Sequence, residues 1–399
     1  MNRLRETIEQ EIRVLGPIPF SRYMEMCLYD EDFGYYASHS GQFGKAGDFF
    51  TSSDVHAVFG RLVARQFDEM WRTLDCPDSV IVRELGPGRG LFARDVLDWS
   101  KRKFPDFFRA LHYELIESSP ALRRRMEETL RSHVDAGRAT IAPATNIGPA
   151  IAGKGAALVP PKEQHEQTFA PEGSIIVFAN EFFDAIPVDI VSSRGSLRID
   201  VREGRLAEIW VPPSPEELEF LDRYSVHPEP GERLEVPLRS QFLMKRFMDI
   251  GRGFAIVIDY GYTREEQLAG RHRGTLKAIR KHSVSANPYE APGEQDLTAD
   301  VNFTALAAAV EKQGMKTQRL ITQSQFLMGI GEANQFSDAF EECRLPQERA
   351  KVALQLKHLV TPAGMGESFH VLVASKGLEA ENVAGLAGLN FGRTLKRSD

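Results

Sequence analysis

A carboxylate and three alternating glycines occupy residues 84–90, directly after the apolar run 80–82 and ahead of a helical pattern that begins near Leu91. Because glycine has no Cβ, a ligand can approach such a turn closely, and the first turn of the following helix offers free N–H groups. A strand, a glycine turn and a helix in this order are typical of sites for adenosine-bearing cofactors. A plain structural turn is the alternative. The cofactor-binding residues predicted in this segment are Glu84, Gly86, Gly88 and Gly90.

Two further residues narrow the class of cofactor. A dinucleotide-binding turn needs a third glycine at position 91, where this chain has Leu91. An acidic residue ahead of alternating glycines instead resembles the turn of S-adenosyl-L-methionine (SAM) methyltransferases. The next apolar run, 113–116, ends at Glu117, and a carboxylate at the end of the second parallel strand can accept hydrogen bonds from both ribose hydroxyls. Glu117 is therefore predicted to bind the cofactor, with a solvated strand-end carboxylate as the alternative.

An amide and two carboxylates follow the apolar run 174–178, which is the fourth strand of the predicted core. Paired carboxylates can hold a guanidinium through two hydrogen bonds, and they can bias its charge so that one nitrogen keeps its lone pair for attack on a methyl group. Such a transfer depends mainly on positioning and electrostatics. The predicted catalytic residues are Asn180, Glu181 and Asp184, although either carboxylate can alternatively cap the following turn.

A glycine-rich segment at 41–53 lies ahead of a long helix predicted over residues 54–74. Its residues Asp48 and Thr51 can form part of a lid over the cofactor or substrate, with glycines as hinges. They can equally cap the following helix. Both are candidate cofactor-binding residues.

Composition limits the classes of function. The 399-residue chain is 42% apolar and 26% charged, with a formal net charge of −7 and a pI near 5.9. This acidic balance argues against a general nucleic-acid binder, whereas a basic protein can still enter a carboxylate-lined site. The three cysteines are unclustered and no zinc-type spacing occurs, so we expect no metal site and a reducing compartment. Without an apolar run of about 18 residues, a signal segment or a presequence, we expect a cytoplasmic bacterial protein with no membrane insertion.

Strands and helices alternate over residues 80–142, which indicates an α/β fold with a parallel sheet. Alternating polar and apolar residues around a turn at Glu203–Gly204 predict an antiparallel insertion. The expected units are an N-terminal helical and lid region (1–75), the first part of the core (76–187), a β-hairpin insertion (188–240), the second part of the core with a substrate-side loop at 261–302 (241–378), and a flexible tail (379–399).

Short motifs in one order along the chain resemble those of a single family. They lie at residues 16–18, 32–36, 47–51, 84–90, 180–187, 259–261, 293–298 and 365–366. On these motifs the chain resembles the MidA family of SAM-dependent methyltransferases over residues 12–376. The resemblance implies a class I methyltransferase fold, with a Rossmann-like, mostly parallel seven-stranded sheet, and SAM as the methyl donor.

The resemblance also carries an expectation about the acceptor. Mitochondrial members of the family assist the assembly of respiratory complex I by methylating an arginine of a core subunit. This implies protein arginine methylation, with a respiratory complex subunit as the candidate partner. Two other functions stay open: methyl transfer to a small molecule, and a non-catalytic assembly factor in which SAM only stabilises the fold. The intact segment 180–184 counts against a non-catalytic assembly factor. A dehydrogenase is a more distant alternative, because Leu91 replaces the glycine that its cofactor turn needs. The sequence does not specify the oligomeric state.

Overall fold

The structure is a computed structural model that describes residues 2–38, 57–142, 173–280, 283–285 and 287–391. No helix within these ranges has the length and apolar character that crossing a membrane requires. The helices span Arg3–Leu15, Phe20–Tyr29, Tyr35–Ser38, Ala57–Thr73, Leu91–Lys103, Pro105–Ala110, Pro120–Thr129, Arg131–Asp135, Pro215–Tyr224, Leu238–Phe247, Arg264–Leu268, Phe303–Glu311, Gln323–Glu332, Ser337–Phe340, Pro346–Val360 and Ala380–Ala384, followed by a 3₁₀ turn at Ala387–Leu389. The strands are β1 (Ile18–Pro19), β2 (Val80–Leu85), β3 (Leu111–Ile116), β4 (Ala139–Ala142), β5 (Ser174–Asn180), β6 (Asp189–Ser192), β7 (Gly195–Arg202), β8 (Arg205–Val211), β9 (Arg233–Val236), β10 (Arg252–Tyr262), β11 (Lys277–Arg280), β12 (Ser283–Ser285), β13 (Asp296–Thr298), β14 (Val301–Asn302), β15 (Lys316–Thr317), β16 (Ile321–Thr322) and β17 (Phe369–Lys376).

The largest sheet has the strand order β15–β17–β10–β5–β2–β3–β4, with the short strands β14 and β16 added at β10 and β17. Strands β4, β3, β2, β5 and β10 are parallel, while β17 runs antiparallel to β10 and β15. The strand order reverses between β2 and β5, and ligands of open α/β sheets bind outside the carboxyl ends of strands at such a point. The predicted seven-stranded, mostly parallel sheet is confirmed.

Helices cover both faces of this sheet, which explains the continuous apolar runs of β2 and β5. One face packs on the helices Ala57–Thr73 and Leu91–Lys103. The other face packs on the helices Leu238–Phe247 and Phe303–Glu311. The helix Ala57–Thr73 therefore packs in the core, although the sequence pattern assigned it to the N-terminal region.

Strands β1, β6, β7, β8 and β9 form a second, antiparallel sheet. The hairpin turn predicted at Glu203–Gly204 joins β7 to β8, and both residues have positive φ (51° and 69°), as a type I′ turn requires. Strand β1 comes from the N-terminal region and pairs with β7, so the first helices pack on the insertion. The helix Pro215–Tyr224 between β8 and β9 is not predicted by the sequence pattern.

Two segments differ from the sequence-based expectation. The loop expected at 261–302 contains a three-stranded antiparallel sheet of β12, β11 and β13. Residues 380–391, expected to be part of a flexible tail, pack against the helix Ala57–Thr73. Val383 is buried in the core there, and the Gly388 N–H donates to Gln66 Oε1 at 2.9 Å. Tertiary contacts, which a local pattern does not reveal, order both segments.

Candidate active site at the carboxyl ends of the central strands

The glycine turn follows β2 and leads into the helix Leu91–Lys103. Gly86, Gly88 and Gly90 have φ values of 64°, 56° and 73°, in the left-handed region that favours glycine. A Cβ on Gly86 would lie 2.7 Å from the ring of Phe182, whereas a Cβ on Gly88 would meet no atom within 4 Å. The turn therefore packs closely against Phe182 and has room for a ligand beside Gly88.

Glu117 lies directly after β3, beside the glycine turn. Its Oε1 accepts a hydrogen bond from the Ser119 N–H at 2.8 Å. Burial raises the pKa of Glu117 to about 7, while the N–H groups of Ser119 and Gly88 partly oppose that rise by favouring the carboxylate. The structure thus places a buried carboxylate next to Gly88, where it can accept hydrogen bonds from the hydroxyls of a ribose.

Glu84 lies within β2, below the glycine turn. Its Oε2 accepts a hydrogen bond from the Tyr113 hydroxyl at 2.9 Å. Burial raises the pKa of Glu84 to about 8, against the effect of Tyr113, and the nearby charge of Glu117 adds to the rise. Its side chain is enclosed and mostly protonated at neutral pH, so a cation bound nearby would favour its ionised form without direct contact.

A sharp turn at 180–184 carries the three residues predicted to be catalytic. Glu181 follows β5 with a φ of 49°, a costly conformation for a residue other than glycine. Its N–H donates to Ile258 O at 2.9 Å. Oδ2 of Asp259, in β10, accepts hydrogen bonds from the N–H groups of residues 182, 183 and 184 at 2.9–3.3 Å. The Asp259 carboxylate therefore holds the turn in its strained conformation.

Asp184 is only 2% exposed, and its Oδ2 accepts a hydrogen bond from the Tyr260 hydroxyl at 2.6 Å. Burial raises the pKa of Asp184 to about 6, against the opposing effect of Tyr260. Burial, with the charges of Asp184 and Glu181, likewise raises the pKa of Asp259 well above its usual range. Neighbouring buried carboxyl groups resist ionising together, and a cation between them would relieve that repulsion.

Asn180 ends β5, next to Glu181. Its Nδ2 donates to Glu181 Oε1 at 3.1 Å. Its Oδ1 is buried and has no hydrogen-bond partner within the described ranges. A buried polar atom left unsatisfied costs about 1–3 kcal/mol, so this oxygen is an acceptor suited to an N–H group of a ligand.

The structure brings Glu117, the glycine turn and the turn at 180–184 together at the carboxyl ends of β2, β3 and β5. Asp259 and Tyr260 directly follow the apolar run 254–258, so the sequence places them at an edge of the site, but it assigns them no supporting role. Tyr29, whose hydroxyl donates to Ala185 O at 3.0 Å, is not identified from the sequence. Tyr29 carries no comparable signal.

Asp48 and Thr51, the remaining candidate cofactor residues, lie outside the described residues. The groups that are described fit an adenosine-bearing sulfonium cofactor. The room beside Gly88 and the start of the helix Leu91–Lys103 could hold its backbone-contacting part, and Glu117 could bind its ribose. The buried carboxylates and Asn180 Oδ1 suit its positive groups and those of an acceptor.

Similar proteins carry names that indicate methyl transfer from this class of cofactor. Residues 62–321 match the Methyltransf_28 family, described as S-adenosyl-L-methionine-dependent methyltransferase. The mitochondrial protein arginine methyltransferase NDUFAF7 homolog of Drosophila melanogaster is 28% identical, over 95% of this chain and 86% of its own length. The mitochondrial protein arginine methyltransferase NDUFAF7 of Homo sapiens is 26% identical, over 90% of this chain and 80% of its own length.

A solved structure extends the likeness to the fold and the cofactor. A Burkholderia thailandensis protein crystallised with S-adenosyl-homocysteine is 25% identical to this chain, covers 97% of it and 94% of its own length, and has a TM-score of 0.76. S-adenosyl-homocysteine is the product that SAM leaves after methyl transfer. With the family match, it shows that SAM is the cofactor of this chain. The chain therefore belongs to this family of SAM-dependent methyltransferases, the MidA family that its motifs indicate.

Proposed function

We propose that this enzyme transfers the methyl group of SAM to an arginine side chain of a protein acceptor. A respiratory complex subunit is the acceptor that the sequence resemblance implies. The observation that carries the proposal is the pair of buried carboxyl groups, Asp184 and Asp259, at the ends of β5 and β10. Within the described ranges, neither carboxyl group forms a salt bridge, and their partners are the Tyr260 hydroxyl and backbone N–H groups.

Buried carboxylates without a cation are costly, because burial removes their hydration. A guanidinium would supply both positive charge and a planar set of donors that two carboxylates can bind at once. A neutral acceptor such as a hydroxyl would do nothing to favour the ionised form of these carboxyl groups, whose pKa values are raised by burial. The carboxylates of the turn and of Asp259 therefore support a cationic acceptor over a neutral one.

The residues of the turn divide the work between them. Bound SAM supplies a methyl group whose bond to sulfur breaks as its bond to nitrogen forms. Glu181 holds and orients the guanidinium, and Asn180 Oδ1 accepts a further N–H from it. Asp184 accepts the proton that the nitrogen loses and releases it to solvent. The Tyr260 hydroxyl favours the ionised form of Asp184 that this role requires.

The proposed cofactor site adjoins this turn. Its carboxylates suit the ribose hydroxyls and the positive groups of SAM, while its glycines allow close approach to the backbone. The proposed cofactor residues are Glu84, Gly86, Gly88, Gly90 and Glu117, with Asp48 and Thr51 as further candidates.

The names of the relatives support the acceptor class. Curated relatives from Caenorhabditis elegans to Xenopus tropicalis, 25–29% identical to this chain, are named protein arginine methyltransferases. Sequence identity at this level supports arginine as the acceptor side chain. The acceptor protein has to be identified by experiment.

The experiment uses tritiated SAM and cells that lack this enzyme. Their protein fraction and their metabolite fraction are incubated separately with the purified enzyme, and the labelled protein is hydrolysed. We expect label in protein, recovered as methylarginine. Label confined to metabolites would make the enzyme a small-molecule methyltransferase. SAM binding without transfer to either fraction would favour the non-catalytic assembly factor.

A further inference from the structure

The sequence motifs at residues 32–36 and 293–298, which have no role in the proposed reaction, pack against each other. A Cβ on Gly293 would lie 2.3 Å from Phe33 O, so the two backbones are in close contact there. The Tyr23 hydroxyl donates to Pro288 O at 2.7 Å, and Asn2 Nδ2 donates to Pro292 O at 2.8 Å. The N-terminal helices and the segment that leads to β13 therefore form one packed unit.

This unit is hydrogen-bonded to the backbone of Asp184 and of the residue after it. From the N-terminal region, the Tyr29 hydroxyl donates to Ala185 O at 3.0 Å. From the residue after β13, the Ala299 N–H donates to Asp184 O at 3.0 Å. The N-terminal tyrosines and β13 are thereby fixed relative to the proposed proton acceptor.

Tyr29 and Tyr36 differ from the other tyrosines of this region. Tyr23 and Tyr35 are 0% and 3% exposed, whereas Tyr29 and Tyr36 keep part of their surface accessible. The rings of Tyr29 and Tyr36 lie 5.3 Å apart at 39°. Tyr29 and Tyr36 therefore lie close to the turn, in a packed pair that is less completely buried than Tyr23 and Tyr35.

The charges of nearby carboxyl groups act on both tyrosine hydroxyls. Burial raises the pKa of Tyr36 well above its usual range, and the charges of Asp296 and Asp184 add to that rise. The charges of the same two carboxylates, together with that of Glu117, add to the rise that burial causes in the pKa of Tyr29. Asp296, in β13, is 1% exposed. Aromatic faces attract a guanidinium through its charge and its plane, and carboxylates bind its N–H groups.

We propose that Tyr29, Tyr36 and Asp296 form a wall of the acceptor site beside the turn at 180–184, and that this wall selects a planar cation. The inference rests on the proposed arginine methylation and assigns the N-terminal region a part in choosing the acceptor. Tyr36 is the better probe of the wall, because Asp296 and Asp184 are the carboxylates that contribute most to its raised pKa, whereas Glu117, the proposed ribose ligand, contributes to the raised pKa of Tyr29.

The test separates acceptor binding from cofactor binding. The probe is the protein fraction of cells lacking the enzyme, titrated at saturating tritiated SAM, with the SAM Kd measured by calorimetry. We expect Tyr36→Ala to raise the KM for the extract at least tenfold and to change the SAM Kd less than twofold. Tyr36→Phe keeps the ring and should restore the KM. Tyr224→Ala, which removes a partly exposed tyrosine of the insertion, is the matched control and should change neither constant.

A second measurement asks whether the pocket selects a cation. N-acetyl-arginine amide and its neutral analogue N-acetyl-citrulline amide compete against the extract. We expect the arginine compound to inhibit the parent enzyme at least tenfold more strongly than the citrulline compound. Tyr36→Ala and Asp296→Asn should each abolish that difference. Asp296→Asn also decides the matter if Tyr36→Ala fails to fold.

Three outcomes would overturn the inference. One is a weaker SAM Kd for Tyr36→Ala with an unchanged KM, which would make the tyrosines part of the cofactor site. Another is equal inhibition of the parent by the two compounds, and the third is an unchanged KM for Asp296→Asn. If methyl transfer goes only to a metabolite, the proposal of an arginine acceptor fails, but the proposed wall can still be tested. The test is then the KM for that metabolite and the SAM Kd, compared between the parent and Tyr36→Ala.

Discussion

Gly88 and Gly137 share a backbone conformation and differ in what they adjoin. Their φ values are 56° and 67°, and a Cβ on either would meet no atom within 4 Å. An alanine in this left-handed region costs roughly 1–2 kcal/mol at each position. Only Gly88 lies beside Glu117 and the proposed cofactor site.

We therefore expect Gly88→Ala and Gly137→Ala to lower the free energy of unfolding by similar amounts, while only Gly88→Ala weakens SAM binding, by tenfold or more. Urea denaturation and titration calorimetry measure the two quantities. Equal SAM affinities for the two variants would remove the glycine turn from the cofactor site.

The charge of Glu181 can be removed without changing its shape. We expect Glu181→Gln to leave SAM affinity nearly intact and to slow methyl transfer about 100-fold, as for an electrostatic group that acts at the transition state. Single-turnover transfer at saturating SAM measures the effect. Glu203→Gln is the control, because Glu203 has the same left-handed conformation (φ 51°) in an exposed hairpin. Undiminished transfer by Glu181→Gln would exclude it from catalysis.

Asp184 should give the reaction a dependence on pH. Its pKa is raised to about 6, so it is protonated below that pH and can neither hold a cation nor accept a proton. We expect the transfer rate to fall as the pH drops below about 6, and Asp184→Asn to remove this acidic limb together with much of the activity. Tyr260→Phe removes the hydrogen bond that favours the carboxylate, so its acidic limb should move to higher pH. A limb that stays in place would show that another group titrates.

At the scale of elements, the carboxyl-terminal segment 380–391 stabilises the core helix Ala57–Thr73. Val383 and Leu386 are buried, and the Ala387 N–H donates to Glu69 Oε2 at 3.0 Å. Burying an apolar side chain of this size contributes about 1.5–3 kcal/mol. We expect a chain that ends at residue 377 to unfold at a temperature several degrees below that of a chain that ends at 391. Calorimetric scans with coinciding transitions for both truncations would contradict this role.

How far the sequence predicts an element depends on whether its pattern is local. Strands β2, β5 and β10 are buried on both faces, so they appear as continuous apolar runs. The helix Pro215–Tyr224 carries a local signal that was not used, since Ser214 and Glu217 form a capping box. Strands β11–β13 have no such signal. The segment before β11 is held by a distant residue, Glu235, whose Oε1 accepts the N–H groups of residues 275 and 276.

The candidate site divides in the same way. Residues that directly follow apolar strands, such as Glu117 and those of the turn at 180–184, can be selected because parallel strands end at one edge of a sheet. Tyr29 and Asp296 could not be selected as residues near the turn at 180–184. They come close to it only because the N-terminal helices pack on β13 and on the antiparallel insertion.

At the scale of the whole molecule, the site concentrates buried carboxyl groups whose pKa values are raised. Glu84, Glu117 and Asp184 have pKa values of about 8, 7 and 6 in the folded chain, each above its unfolded value. These three groups therefore bind more protons in the folded chain without SAM than in the unfolded chain between about pH 4 and pH 8. Their contribution to stability should fall as the pH rises through this window.

Glu84→Gln isolates the largest of these contributions. Glutamine keeps the size of the side chain and an oxygen to accept from Tyr113, but it cannot ionise. The stability that Glu84 contributes is complete below pH 4.5, the pKa of the carboxyl group in the unfolded chain. It is lost as the pH rises through about 8, the pKa of Glu84 in the folded chain. One pKa unit corresponds to about 1.4 kcal/mol, so the variant should gain several kcal/mol relative to the parent between pH 5 and pH 9.

Urea denaturation at each pH, without SAM, measures this difference, and Glu216→Gln at an exposed position should show none. A difference between Glu84→Gln and the parent that stays constant with pH would mean that Glu84 is already ionised in the folded chain, held by the Tyr113 hydroxyl.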